Sequence, residues 1–129
     1  MMKYQFDIDG YWKVIVYYDM DYHYTDVVEK ELLKRDFDKE YLDELWYSMT
    51  EGGGKAVTFN HLSKHLSIVL FNKHDGILDY MNSIVHEAEH IKQAMLDEYE
   101  VEDEGEPPAY TIGYLAMRML EAKVKSCYS

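Results

Sequence analysis

The stretch YWKVIVYY (11–18) constrains the fold more than any other part of the chain. It is β-branched and aromatic almost throughout, and reads as a strand apolar on both faces, central in its sheet. Asp26 and Glu29 form a capping-box pattern that predicts a helix from about Val27, carrying Leu32 and Leu33 into the polar cluster 35–39. A second helical pattern follows from about Lys39 to Met49, with Leu42, Leu45, Trp46 and Met49 on one side; Gly52, Gly53 and Gly54 are expected to stop it. Two short strands, KAVTFN (55–60) and LSIVLFN (66–72), are linked by HLSKH and predict an antiparallel hairpin. Asp75 is the expected N-cap of a helix from near Gly76 to about Tyr99. The acidic stretch EVEDEGE (100–106) reads as a loop, and Pro107 and Pro108 open a last helix that ends near Lys125. The expected order is β-α-α-β-β-α-α. It describes one α+β domain over residues 1–129, a small, mostly antiparallel sheet packed on helices.

Charge narrows the partners. A net charge of −12 argues against nucleic acid, whose phosphates need cations opposite them, and leaves metal cations or basic segments as partners, or acidity serving solubility alone. No apolar run approaches membrane-spanning length, and MMKYQFDIDG lacks the apolar core of a signal peptide. The expectation is therefore a cytoplasmic protein without a membrane partner. The one cysteine, Cys127, excludes an internal disulfide and a cysteine-rich metal site, and reads as inert.

The helix over 77–99 carries the chemistry. On a helical wheel Ile77, Met81, Ile84, Ala88, Ile91 and Met95 form one apolar stripe, expected to face the core. Asp79, His86, His90, Gln93 and Asp97 fall opposite, with Glu87 on the flank beside His90. Residues 86–90 read H-E-A-E-H, so the two histidines stand one turn apart, side by side. Two imidazoles at that spacing can occupy two corners of a zinc tetrahedron. Glu87 is then placed to reach a zinc-polarised water and take its proton. A solvated polar helix face remains the plain alternative. Downstream, Glu106 precedes the two prolines and is a candidate third ligand, or a carboxylate that serves the helix dipole. Tyr110 lies one turn on, as a candidate partner of a ligand or of an oxyanion, with Tyr114 after it; Gly113 would let two helices approach closely. His61 and His65, also four apart, fall in the hairpin link and read as turn residues that could approach the cleft; His23 and His74 carry no pattern. Asp7 and Asp9 precede Gly10 without the rest of a calcium loop.

His86, Glu87 and His90 on a helix, followed by Glu106, Pro107, Pro108, Ala109, Tyr110, Thr111, Ile112 and Gly113, resemble the zincin metallopeptidases of the gluzincin type. The pattern is similar to that of minimal zincin-like proteins of bacterial phages and mobile elements. The resemblance covers residues 55–120; the first 54 match only in element order. It implies a zincin-like fold and a zinc-dependent peptidase acting on a peptide or protein. His86, His90 and Glu106 would be metal ligands, Glu87 the general base and acid, and an edge strand would pair with extended substrate. One departure is Tyr110, where gluzincins often carry an aspartate. Two other readings stay open: a zincin-fold module that binds a peptide or a host protein without turnover, and a regulatory peptidase acting on a repressor.

Overall fold

In a computed structural model of the chain, residues 1–50 and 54–128 are described, with side chains through Ser126. Gly52 and Gly53, expected to stop a helix, and the side chain of Cys127 lie outside the described residues. The strands are β1 (Met2–Ile8), β2 (Trp12–Met20), β3 (Ala56–His61) and β4 (Leu66–Asn72). The helices are α1 (Thr25–Lys34), α2 (Lys39–Thr50), α3 (Ile77–Tyr99) and α4 (Glu106–Tyr128). The class is α+β, as expected.

The sheet runs β1-β2-β4-β3 and is mixed. The outer pairs β1–β2 and β3–β4 are antiparallel, whereas the central pair β2–β4 is parallel. The sequence reading missed β1. Its signal is a period-2 alternation: Met2, Tyr4, Phe6 and Ile8 against Lys3, Gln5 and Asp7. Only Phe6 of that strand is fully buried, as befits an edge.

Strand β2 is central and covered on both sides. Val14, Val16 and Tyr18 point to a core shared with α3 and α4; Ile15, Tyr17 and Met20 point to a second core shared with α1 and α2. Each such side chain contributes about 1.5–3 kcal/mol by leaving water, which is why a strand apolar on both faces demands helices above and below. Across the central pair, Trp12 Nε1 donates to Ser67 Oγ, joining positions 55 residues apart.

Two helix starts differ from expectation. Helix α1 begins at Thr25 after a 3-10 turn, Tyr22–Tyr24, in which Asp21 accepts from the His23 amide; no side chain caps α1, so the Asp26–Glu29 box does not form. Helix α3 is preceded by Gly76, and Asp75 does not cap it.

The buried face of α3 is also rotated from the expected stripe. Tyr80, Ser83, Ile84, Glu87, Ala88, Ile91 and Ala94 are buried, while Ile77 and Met81 are exposed. Aromatic and polar contacts cause the shift. Tyr80 stacks on His74, whose Nε2 meets Ser83 Oγ at 2.7 Å. The Tyr80 hydroxyl donates to Asp19. The acidic loop after α3 is held to it by Lys92, which donates to Glu89 at 2.8 Å and to Asp103 at 3.0 Å.

Asp19 joins three elements. It occupies an irregularity at the end of β2, with φ of 55°, a left-handed conformation that aspartate tolerates. It accepts from Tyr80 of α3 and, at 2.8 Å, from Lys123 of α4. Burial pushes its carboxyl pKa up, but the Lys123 and Tyr80 hydrogen bonds outweigh burial and hold it below the usual value. A depressed folded-state pKa stabilises the fold above the unfolded-state pKa of ~3.9 and loses that contribution as pH falls through the folded value. Lys123→Met should therefore be less stable than wild type at pH 7, and the gap between them should narrow in urea melts run below pH 3. A gap that stays constant with pH would mean that Lys123 acts by packing alone.

Candidate metal centre

Strand β3 is one edge of the sheet, as β1 is the other, and the candidate site lies along it. Alternation sends Val57 and Phe59 to the α1–α2 core, while Ala56, on the other side of the strand, packs on the α3–α4 core. Thr58 and Asn60 share the Ala56 face and reach α3. Thr58 Oγ1 donates to Glu87 Oε1 at 2.8 Å, and Asn60 Nδ2 donates to the His90 carbonyl at 3.5 Å. A depression of about 320 Å³ opens there, with Thr58, Asn60, His86, Glu87 and His90 in its wall.

His86 and His90 turn their rings towards one another. Their Nε2 atoms stand 3.3 Å apart and their ring planes cross at 76°. Two nitrogens on one zinc ion at about 2.0–2.1 Å, in tetrahedral geometry, are about 3.3–3.4 Å from each other. The pair is thus already at the spacing that a shared ion requires.

Glu87 differs from the histidines. Its side chain is 5% exposed against 70% for His86, because the rotated face of α3 carries it under β3. Its Oε1 is engaged by Thr58, and its Oε2 lies 3.8 Å from His86 Nε2. One ligand atom from each of His86, Glu87 and His90 can be chosen so that all lie within 4.8 Å of one another. The donors fit a divalent ion: two imidazoles open to solvent and one carboxylate oriented by a hydroxyl.

The structure does not bring Glu106 into this group. Glu106 is exposed and lines a separate groove with Ala109, Tyr110, Gly113 and Tyr114. The reason is the position of α4. That helix packs under β1 and β2: Tyr18 donates to the Met119 carbonyl, Arg118 binds the Tyr4 hydroxyl, and Phe6 meets the Tyr114 ring edge-on. The histidines face β3, on the other flank of α3. Tyr110 is 74% exposed in the same separate groove, and the Tyr114 hydroxyl accepts from Arg118 at 2.7 Å. Neither tyrosine is placed beside the histidines.

His61 and His65 are also accounted for by packing. His61 meets the Phe37 ring edge-on, and His65 stacks on Trp12 with ring centroids 5.4 Å apart. The reading of the sequence missed Thr58, whose polar position in KAVTFN carries no signal until α3 is docked against it.

Comparison with family models, with curated proteins and with solved structures finds no match to this chain. No helix among the described residues is long and apolar enough to cross a membrane.

Proposed function

We propose that the chain is a divalent-metal-dependent hydrolase of zincin-like organisation that cleaves a peptide bond, with zinc as the metal. The observation that carries this reading is the convergence of the His86 and His90 Nε2 atoms at 3.3 Å beside the buried Glu87 carboxylate. His86 and His90 would hold the ion through Nε2. When bound, zinc supplies Lewis acidity and lowers the pKa of water towards ~7.

The protein's own groups do the rest. Thr58 fixes one oxygen of Glu87, which leaves Oε2 on the side of the histidines. Oε2 accepts a proton from the attacking water and later delivers it to the nitrogen of the leaving amine, so the carboxylate is regenerated. Burial of Glu87 keeps bulk water from competing for that proton. The free edge of β3 offers backbone groups to an extended peptide, which would be held as an added strand beside the cleft. The negative charge of −12 favours substrates with basic segments.

Two observations favour a second reading, a peptide-binding module without turnover. His86 is largely open to solvent, and the carboxylate expected from the last helix stands elsewhere.

Elemental analysis of protein purified without added metal, followed by hydrolysis of a fluorogenic peptide library with and without a chelator, tests the proposal. One zinc equivalent per chain and chelator-sensitive cleavage are expected. Zinc without cleavage selects the binding module; no retained metal and no binding on titration rejects both the ion and the mechanism.

A further inference from the structure

Two histidines leave a metal short of protein donors, and the missing donor has to come from whatever faces them across the cleft. One residue of α2 lines the depression from beyond β3. Helix α2 packs on the opposite face of the sheet, where Leu42 and Met49 join Val57 and Phe59, and the Tyr41 hydroxyl donates to the Asn60 carbonyl of β3. Helices α2 and α3 therefore flank β3 from above and below. Glu44, on α2, lines the same depression as His86 and His90.

The other carboxylates nearby are committed. Glu87 accepts from Thr58 and adjoins His86 on the chain, Glu89 pairs with Lys92, Asp79 pairs with Lys55, and Glu106 lies in the groove beside α4. The Glu44 carboxylate makes no hydrogen bond or ion pair among the described residues. Partial burial, and then the like charge of Glu40, push its carboxyl pKa up. A divalent cation in the cleft would offset both.

We infer that Glu44 supplies the third protein donor to the ion held by His86 and His90, closing the site from the α2 side of the edge strand. The inference rests on the metal-dependent reading above. It makes the centre a two-histidine, one-carboxylate site with a position left for water, the donor set of hydrolytic zinc centres. The carboxylate would come from before the histidines in the chain; Glu44 stands outside the close group of His86, Glu87 and His90, so its exposed side chain would have to turn into the depression to reach the ion.

Zinc affinity, measured by competition with a chromophoric chelator, tests this on the full chain and on Glu44→Gln, Glu44→Ala, Glu106→Ala and His86→Ala, each checked for folding by thermal melting. Both Glu44 variants should bind zinc at least about tenfold more weakly than wild type, the smallest loss expected when even an outer partner of a metal ligand is removed. Glu106→Ala should stay within about twofold of wild type, and His86→Ala should lose most binding. If the Glu44 variants match wild type while His86→Ala does not, the third donor lies elsewhere and this inference falls while the histidine site stands. It falls equally if Glu106→Ala is the variant that weakens binding. If His86→Ala binds as wild type does, the metal centre itself is wrong and Glu44 goes with it.

Discussion

Replacing His86 by alanine should lower zinc affinity by at least about 100-fold, beyond the 10–100-fold cost of losing an outer partner of a metal ligand. The size follows from the geometry. His86 and His90 hold their Nε2 atoms 3.3 Å apart before any ion arrives, so little reorganisation accompanies binding and each nitrogen contributes fully. The fold should not suffer, because the His86 side chain is 70% exposed and its ring contact is with His90. A variant with normal melting and normal zinc affinity would remove the basis for a metal centre here. Isothermal titration of zinc into each protein measures the difference.

The second large effect concerns Glu87. Changing it to glutamine keeps the volume and keeps an oxygen for the Thr58 hydroxyl, so the buried contact at 2.8 Å has a like-for-like acceptor. Stability and zinc affinity should remain near wild type. Peptide hydrolysis should fall by about 10²–10⁴-fold, the range lost with a general base. Glu87→Ala makes a useful contrast: it leaves the Thr58 hydroxyl without its acceptor and should also destabilise, by about 1–3 kcal/mol. If Glu87→Gln weakens zinc binding as severely as His86→Ala, Glu87 is itself a ligand and the proton-transfer role assigned to it is wrong.

Much of this architecture is legible in local pattern. The hairpin 55–72, the helix ending at Tyr99 and the helix beginning at Glu106 follow from periodicity, proline and turn residues, all of them near neighbours in the chain. What escaped was set by distant partners. Helix α3 turned its face to accommodate Tyr80 with Asp19 and His74, which placed Glu87 inside rather than on the flank. That β2 and β4 are apolar on both faces marks both as central, but nothing in either strand says that they pair with each other. The candidate site divides the same way. The spacing of His86 and His90 is a property of one helix and could be read directly. The position of Glu106 depends on which strands α4 covers, and no local pattern records that.

The parallel β2–β4 pair carries an entropic consequence for the cleft. The Trp12–Ser67 contact closes a loop of 55 residues, at a cost that grows as (3/2)RT ln n and reaches about 3.5 kcal/mol before the constant term. Helix α2 and strand β3 both lie within that loop, and Thr58 of β3 belongs with Glu87 and both histidines to one contiguous run, the hairpin and the helix after it. A local unit can bring the histidines together early, and α2 reaches β3 through Tyr41 and Asn60, 19 residues apart, so Glu44 can join them before the loop has closed. Closure of the central pair would then add the rest of the sheet beneath donors that the contiguous run 39–99 already carries, so the proposed metal site would not wait for the completed topology.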